Sequence, residues 1–363
     1  MGTVDNRRLL IVGNPNEIHV GAHLLRAAQS LRLPVQMCDV NNAYAASWVV
    51  EKYNWWICGH RPASLTQFSI QVIEHCEQFK PQWLLATGIC PLAHWALAKI
   101  GQLGVRRINY LTDDPWNAAH RAPWFMKSLP LYDQVFSPRK ANLVDLQRLG
   151  CRKVSFLPFA YAPELHYPEP AINENEKGRF AADIVFVGGA DADRIDYLRA
   201  LVHTGLAVAL YGGYWDRYSE NRAVWRGHAD PPTLRKAITG TKVALCLVRR
   251  ANRDGHVMRT FEVPAMGTCM LTEDTQEHRE IFGEDGQAVV YFRTTSEMVE
   301  KLRWLLDHDD ERKRLAAAAH ALITTGCNTY QDRLLQMIES SEAGLLGGSE
   351  AGTLRNQSAR RYV

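Results

Sequence analysis

The sequence predicts an α/β protein of two domains, each built around a parallel β-sheet. Two observations carry this prediction. A run of apolar residues that ends in glycine and precedes an amphipathic helix occurs twice, at 9–13 and at 184–188. Such a run indicates a strand buried on both faces, and strand, glycine and helix in this order are typical of the start of a parallel α/β sheet. In addition, 363 residues with 46% hydrophobic content are enough for two hydrophobic cores.

Further apolar runs follow each of these two starts, and helical or loop sequence separates them. In the first half they predict strands at 34–40, 83–88, 107–111, 134–137 and 154–158. In the second half they predict strands at 207–212, 243–248, 269–272 and 288–292. Apolar residues at helical spacing then predict a pair of helices over 295–319, interrupted by the charged run at 307–310.

Composition shifts mark the domain boundaries. The interval between the halves contains Pro163, Pro168, Pro170 and the polar run 173–178, which predicts a solvated linker. The end of the chain is rich in Gly, Ser and Ala and predicts a disordered tail. The predicted division is a first domain over 1–165, a linker over 166–180, a second domain over 181–328, a helix over 329–339 and the tail over 340–363.

Charge and cysteine usage exclude several classes of protein. A net charge of +3 without any block of five like charges argues against a nucleic-acid partner and favours a small anionic ligand. The eight cysteines are scattered without a C-x-x-C pair, so we expect reduced, structural thiols. Neither a signal peptide nor a membrane span is recognisable, which predicts a cytoplasmic protein; peripheral contact with a membrane is left open.

The stretch Arg259–Gly267 carries the strongest functional signal. It follows the apolar run 243–248 and an arginine-rich loop, and it reads as the first turns of a helix. The N-terminus of a helix that follows a buried strand can hold phosphate. The carboxylate of Glu262 would then be available for ribose hydroxyls, so this order of elements suits a nucleotide-sugar site.

These residues resemble a known family. Glu262 to Gly267 resembles the E-A-x-A-x-G signature of GT-B glycosyltransferases, with Val263 in place of the first Ala, in the branch that includes the spore-maturation CgeB-like proteins. Segments at 183–189, 211–215 and 329–335 are similar to the family as well. The resemblance implies two Rossmann-like domains that face a cleft. It also implies that the helix over 329–339 crosses back onto the N-terminal domain.

The resemblance further implies roles for two carboxylates of the second domain. Asp254 stands eight positions before Glu262, where many retaining members carry the first Glu of an E-x7-E pair. Glu262 would hold ribose, and Asp254 would hold the donor sugar or phosphate. Bidentate guanidinium groups suit a diphosphate, and the loop offers four: Arg249, Arg250, Arg253 and Arg259. A solvated charged loop is the alternative interpretation.

Glycine-rich turns complete the predicted donor side. Gly188 and Gly189 present backbone N–H groups at a strand-to-helix turn, where Arg194 could reach a phosphate. The turn at Gly212 would form a wall for the base or sugar, or be a packed turn. The loop of His228 corresponds by position to one that contacts the nucleobase in GT-B folds.

Asp191 and Asp193 have the spacing of a metal-binding D-x-D motif, but Asp is also favoured at helix N-caps. We expect no metal and no cofactor, because the nucleotide sugar is itself a substrate.

The predicted acceptor side lies in the first domain. Asp113 and Asp114 directly follow the strand at 107–111, and ligands of open α/β sheets bind beyond the carboxyl ends of strands. Either carboxylate could be a general base, with Asp114 favoured because Pro115 restricts its backbone, or could simply cap an Asp-Pro turn. His19 and His23 in and after the first loop are further candidates.

The sequence thus predicts a metal-independent glycosyltransferase that moves a sugar from a nucleotide sugar to an acceptor hydroxyl. The acceptor is left open among a glycan, a lipid-linked glycan and a protein, and the stereochemistry between retention and inversion. Two alternatives stay beside this prediction: a GT-B-like binding or scaffold protein without turnover, and a GT-B-shaped sugar-nucleotide epimerase.

Overall fold

The computed structural model of the protein describes residues 7–346, and each half forms one parallel sheet. The first sheet comprises β1 (Leu9–Gly13), β2 (Val35–Asp39), β3 (Trp83–Thr87), β4 (Arg106–Tyr110), β5 (Gln134–Ser137) and β6 (Val154–Phe156). The second comprises β7 (Ala182–Val187), β8 (Val208–Tyr211), β9 (Thr241–Cys246), β10 (Cys269–Glu273) and β11 (Val290–Phe292). Every predicted strand is therefore confirmed to within a few residues at its ends.

Helices cover both sheets. Those of the first half are α1 (Val20–Ser30), α2 (Asn41–Tyr44), α3 (Trp48–Trp56), α4 (Leu65–Phe79), α5 (His94–Gln102), α6 (Pro123–Ser128) and α7 (Ala141–Arg148). Those of the second half are α8 (Glu174–Phe180), α9 (Ala192–Val202), α10 (Ser219–Arg222), α11 (Pro231–Thr239), α12 (Arg259–Ala265), α13 (Gln276–Phe282), α14 (Thr295–Asp307), α15 (Asp309–Thr325) and α16 (Tyr330–Leu346). The predicted helix pair over 295–319 is confirmed as α14 and α15, with the break at the charged run.

Strand order fixes where a ligand can bind. The first sheet has the order β2-β1-β3-β4-β5-β6 and the second β11-β10-β9-β7-β8, all parallel. In the first sheet β2 lies on one side of β1 and β3 on the other. In the second sheet β8 lies on one side of β7 and β9 on the other. Crevices outside the carboxyl ends of strands at such switch points are the usual ligand sites. The loops after β1, β3, β4, β7 and β9 are therefore the positions of interest.

The last helix joins the two halves, as predicted. α16 packs on α1 of the first half. The indole Nε1 of Trp83 donates a hydrogen bond to Ser341 Oγ at 2.9 Å, and Arg106 donates to the Ser341 carbonyl at 2.5 Å. One hydrophobic core runs across the boundary and includes Leu9 from β1 and Phe261 from α12, whereas two further cores lie wholly within one half each.

Two boundary predictions need correction. The polar run predicted as part of a solvated linker is the start of α8, because Asn173 caps the helix by accepting a hydrogen bond from the Glu176 N–H and Phe180 is buried at its end. The predicted tail begins too early, since α16 continues to Leu346. The rest of that tail, 347–363, and residues 1–6 lie outside the described residues.

The cysteines agree with the structural role predicted for them. All eight are free and six are buried. Burial raises the pKa of the Cys38 and Cys246 thiols to about 11, so both stay protonated at neutral pH. Between residues 7 and 346, no helix is both long and apolar enough to cross a membrane.

Candidate functional site

The loop after β1 is pressed against the start of α1. A Cβ atom on Gly13 would lie 2.7 Å from Thr87 Oγ1, and one on Gly21 would lie 2.9 Å from the Asn14 carbonyl oxygen. Neither contact leaves room for a side chain, so both glycines are required for this close approach. The result is that α1 begins directly at the cleft, with His19 just before its first turn and His23 within it.

A cavity of about 310 Å³ opens beyond the carboxyl ends of β1, β3 and β4. His19 and Asp113 line it from the first domain, and Met258 lines it from the second. Asp113 is half-buried and its Oδ2 accepts a hydrogen bond of 3.3 Å from Thr112 Oγ1. Burial lowers the pKa of His19, and the charge of Asp113 opposes this only in part. Asp113 and His19, two of the candidates from the sequence, therefore line the same cavity.

Gly88 keeps the Asp113 loop in position. Its φ of +64° is in the left-handed region, and a Cβ there would lie 3.0 Å from both Asp113 Oδ2 and Thr112 Oγ1. A side chain at this position would strain the backbone and displace the carboxylate from the cavity.

Asp114 does not face the cleft, and the preference for it over Asp113 is wrong. Its side chain is buried, and its Oδ1 accepts hydrogen bonds from the Trp116 N–H at 3.0 Å and from Asn142 Nδ2 at 3.1 Å. Arg253 of the second domain binds both oxygens, with Nε to Oδ2 at 2.6 Å and Nη2 to Oδ1 at 3.0 Å. The side chain of Asp114 is 1% exposed and already accepts four hydrogen bonds, so a substrate hydroxyl has no access to it.

The arginine-rich loop holds the domains together rather than converging on one anion. Arg253 also donates to Asp145 of the first domain at 2.7 Å. Its two carboxylate partners raise the pKa of its guanidinium. Asp254 is buried in an ion pair with Arg139 of the first domain. The predicted donor-binding roles of Arg253 and Asp254 are therefore corrected: both side chains are committed to the contact between domains.

Two other arginines of the loop point elsewhere. Arg249 pairs with Asp191 at 3.2 Å, and Arg250 pairs with Glu273 at 2.9 Å while donating to Tyr197 Oη at 2.6 Å. Of the four arginines predicted to hold a diphosphate, Arg259 alone lies beside Glu262.

Glu262 and Arg259 are the centre of a buried polar cluster between the domains. Glu262 is 1% exposed; one of its carboxylate oxygens contacts Arg259 Nη1, and the other lies 3.7 Å from His166 Nε2. His23 of α1 packs edge-on against His166, with ring centroids 5.8 Å apart. We call His23, His166, Arg259 and Glu262 the donor cluster.

Several polar atoms of the donor cluster have no partner. Across residues 7–346, neither ring nitrogen of His23 nor the Nε of Arg259 finds a hydrogen-bond partner, although all three atoms are buried. Buried polar groups are almost always paired, so such atoms need an explanation, and a ligand with oxygen acceptors is one. Met258, which lines the cavity of Asp113, directly precedes Arg259 in the chain. His19 and Gly21 of the cavity wall likewise lie within four residues of His23. Residues of the cluster are thus close chain neighbours of residues that line the cavity.

Burial sets the charges in the donor cluster. It lowers the pKa of His23 to about 3 and that of His166 well below its ordinary value, and the nearby positive charge of Arg259 lowers both further. His166 Nδ1 accepts a hydrogen bond from the Ala162 N–H at 3.0 Å, so its Nε2 carries the proton and points at Glu262. Burial also lowers the pKa of Arg259 to about 10. The cluster thus contains a charged guanidinium beside two neutral imidazoles.

The glycine turns of the second domain lie together. Gly212 has a φ of +132°, and a Cβ there would lie 2.2 Å from the Gly188 carbonyl oxygen. His228 approaches the neighbouring Gly213, where a Cβ would lie 3.3 Å from its Cε1. Arg194 is buried and donates to the carbonyls of Gly189 and Leu247, both at 3.2 Å. Its guanidinium supports the turn, so the prediction that it reaches a phosphate needs correction.

The D-x-D spacing has a local explanation. Asp191 caps α9 by accepting a hydrogen bond from the Arg194 N–H at 3.1 Å, and Asp193 accepts one from the Ala251 N–H at 3.2 Å. In the part of the chain that the structure describes, no group of three or more His, Cys, Asp or Glu side chains is arranged to hold a metal ion.

Sequence reasoning missed two residues of these networks. His166 lies at the start of the predicted linker, and Arg139 follows β5 in a segment without a recognisable motif. Both make their contacts with residues far away in the chain, at Glu262 and Asp254 respectively. A buried partner at such a separation leaves no local pattern to find.

Comparisons with known proteins agree with this architecture. Residues 194–339 match a family described as glycosyl transferase-like. No curated protein matches the chain. Among solved structures, sucrose-phosphate synthase from Thermosynechococcus elongatus aligns over 94% of this chain and 100% of its own, with a TM-score of 0.68 and 11% identity.

Two other structures have bound nucleotides. Anabaena HepE in complex with UDP aligns over 93% of this chain and 100% of its own, with a TM-score of 0.61 and 11% identity. UDP-GlcNAc 2-epimerase from Neisseria meningitidis bound to UDP-GlcNAc aligns over 92% of this chain and 100% of its own, with a TM-score of 0.54 and 11% identity. At these identities the likeness shows the fold alone, and the chain has the GT-B fold, two Rossmann-like domains that face a cleft.

Proposed function

We propose that this protein is a glycosyltransferase that moves a sugar from a nucleoside-diphosphate sugar to an acceptor hydroxyl. The match to a glycosyl transferase-like family over 194–339 supports the reaction class. Solved structures of the same fold with bound UDP support a uridine nucleotide as the first donor to test. The resemblance of Glu262–Gly267 to the CgeB-like branch stays a prediction.

One observation carries the proposal: chain neighbours of the donor cluster build the wall of the Asp113 cavity, with His19 and Gly21 close to His23 and Met258 next to Arg259. The cavity has Asp113 and His19 on one wall and Met258 on the other. The residue after Met258 is Arg259, which has an unpaired, buried Nε. A transferase needs an anion-stabilising group on one side of the reacting carbon and a proton acceptor on the other side, and this arrangement offers both.

The donor would bind through the donor cluster. Glu262 offers carboxylate oxygens to the ribose hydroxyls, and Arg259 would neutralise the diphosphate as it leaves. The N–H of the neutral His23 ring would donate to an oxygen of the donor, and its other nitrogen would accept from a sugar hydroxyl. The turns of Gly188 and Gly212 would then lie along the rest of the nucleotide.

The acceptor hydroxyl would lie in the cavity beside Asp113. Its oxygen forms the new bond to the anomeric carbon while the bond from that carbon to the diphosphate breaks. The hydroxyl proton passes to Asp113, and the diphosphate leaves with the electron pair beside Arg259. His19 shares the cavity and would orient the acceptor. Assistance by a metal ion is not part of this proposal, so UDP affinity should be the same with and without EDTA.

Calorimetric titration with UDP tests the donor site. The wild-type chain should bind UDP, and Glu262→Gln should weaken binding because the amide replaces one acceptor by a donor. The control is the melting temperature of the variant. A variant that binds UDP as tightly as wild type would remove Glu262 from the site.

A second measurement separates transfer from epimerisation. UDP-N-acetylglucosamine is incubated with the protein alone, and the sugar is followed by NMR. Conversion to a different nucleotide sugar without any acceptor would identify an epimerase and overturn the proposal. A glycosyltransferase should instead release UDP, slowly with water and faster once a competent acceptor is present.

A further inference from the structure

The helix α3 differs from the other long helices of the protein. Among the helices of nine or more residues between 7 and 346, it alone has no buried residue. Yet most of its side chains are large and apolar. Trp56 is 78% exposed and Trp48 is 68% exposed, and the remaining exposed members are Val49, Val50, Tyr53, Trp55 and Ile57. We call these seven residues the α3 surface.

An exposed cluster of this kind marks an interaction site rather than a chance arrangement. Single exposed apolar residues are common, but a contiguous group on one short helix is not. Tryptophan and tyrosine dominate the α3 surface. Both side chains combine an apolar ring with a polar group, and both are enriched at the interface between a lipid bilayer and water.

The charges around the α3 surface have one predominant sign. The segments 44–63 and 116–128 contain a single acidic residue, Glu51. They contain four basic ones, all exposed: Lys52, Arg61, Arg121 and Lys127. The two segments are in contact, since Trp124 Nε1 donates to the His60 carbonyl at 3.2 Å. Lys52 lies over the ring of Trp48, with its Nζ 5.0 Å from the centroid. Basic residues beside exposed aromatic rings complement a surface of anionic lipids.

The size of the α3 surface argues against a second copy of the chain as its partner. A helix of nine residues is about 14 Å long. A stable interface between proteins buries about 800 Å² on each partner, which is more than one short helix can provide. Insertion into a bilayer needs no minimum area, because each apolar side chain that enters the lipid contributes its own favourable transfer free energy.

A path leads from the α3 surface to Asp113. A cavity of about 270 Å³ beneath α3 is lined by Tyr44, Trp55 and His60. The same three residues line a second cavity of about 270 Å³, which Asp113 also lines. Lipid-facing and substrate-facing residues are thus adjacent. A molecule anchored in a bilayer could pass its polar end along this path to the carboxylate.

We propose that the α3 surface docks on an anionic lipid bilayer and that the acceptor is a lipid-anchored amphiphile whose hydroxyl reaches Asp113 along this path. The second part rests on the proposed glycosyltransferase function, whereas the docking itself does not.

Co-sedimentation of the full chain with vesicles tests the docking. The probes are vesicles of phosphatidylcholine with and without phosphatidylglycerol. The protein should sediment with the anionic vesicles, and less so at high salt. Trp48→Glu combined with Trp56→Glu should lower the vesicle partition coefficient at least about tenfold, since loss of two membrane-facing rings exceeds 1.4 kcal/mol. Ile172→Glu is the matched control, because Ile172 is 80% exposed outside the α3 surface and should not matter.

Three results would overturn the docking. The wild-type chain fails to sediment with either kind of vesicle, the double variant sediments as well as wild type, or light scattering shows a dimer that the double variant dissociates. UDP calorimetry on the same samples keeps the two proposals distinct. UDP binding without vesicle binding refutes only the docking, whereas vesicle binding without UDP binding refutes only the donor site.

Discussion

Two polar regions lie at the boundary between the domains, and they differ in how completely one carboxylate and one arginine in each are paired. In the first, Asp114 has partners for both carboxylate oxygens, and Arg253 uses Nε, Nη1 and Nη2 on Asp114 and Asp145. Single atoms beside this first region, Asn142 Oδ1 and Arg139 Nη1, also lack a partner within the described part of the chain. In the second, the donor cluster, both nitrogens of His23 and the Nε of Arg259 are buried without a partner. Each region contains an arginine and a carboxylate for which the sequence predicts a role in the active site.

The difference separates architecture from binding. A buried charge that is fully paired stabilises one arrangement of the domains and offers nothing to a ligand. A buried donor without a partner costs about 1 to 3 kcal/mol in the free protein, and a ligand that supplies acceptors recovers this energy. We therefore expect substitutions in the first region to affect stability, and those in the donor cluster and its cavity to affect binding and turnover.

The largest effect should follow from Asp113→Asn. The amide cannot accept the proton of an acceptor hydroxyl, and removal of a general base typically costs about 100-fold to 10,000-fold in rate. Steady-state transfer with a competent acceptor measures the rate, and UDP calorimetry should show unchanged affinity. Transfer at the wild-type rate would exclude Asp113 as the base, and His19 would be the next residue to replace.

Asp114→Ala should act on stability instead. It leaves the Trp116 N–H and the buried Asn142 Nδ2 without their acceptor, at about 1 to 3 kcal/mol for each donor. The lost pair with Arg253 adds less, because that guanidinium is 39% exposed and keeps Asp145. Urea denaturation gives the free energy of unfolding. Asp145→Ala is the matched control, since Asp145 binds the same guanidinium at a more exposed position and should cost less. Equal losses for both variants would show that burial of Asp114 is not the cause.

Arg259→Ala should weaken UDP binding by about 1.5 to 3 kcal/mol, the usual loss for a charge-assisted hydrogen bond. Arg259→Lys keeps the charge but removes the planar guanidinium, so its affinity for UDP should lie between those of wild type and Arg259→Ala. Calorimetry measures both variants. Affinity equal to wild type in Arg259→Ala would mean that the unpaired Nε has no ligand and that the donor cluster is structural, like Asp114.

The sequence was sufficient for the fold and for part of the site. Strands with continuous apolar runs and helices with clear periodicity were predicted correctly, because those patterns are local. Gly188, Gly189 and Gly212 are close together because strand order brings their loops to one edge. The pairing of Asp114 with Arg253 could not be read, since it depends on how the two domains meet. For this reason the sequence favours Asp114 over its neighbour Asp113 as the general base, whereas the structure favours Asp113.

The smallest predicted effect concerns pH and His23. Its pKa is about 3 in the folded protein because of burial and the charges of Arg26 and Arg259, against about 6.5 in the unfolded chain. The unfolded state therefore binds the proton first, so stability is full above pH 6.5 and falls as the pH drops. From pH 7.5 to 5.5 this histidine should remove about 1.4 kcal/mol from the free energy of unfolding.

His23→Phe keeps a ring against Tyr330 and cannot titrate, so urea denaturation of this variant should show a pH dependence reduced by that amount. The same dependence in wild type and variant would mean that His23 is not buried as a neutral ring, and the donor cluster would then lack one of its unpaired groups.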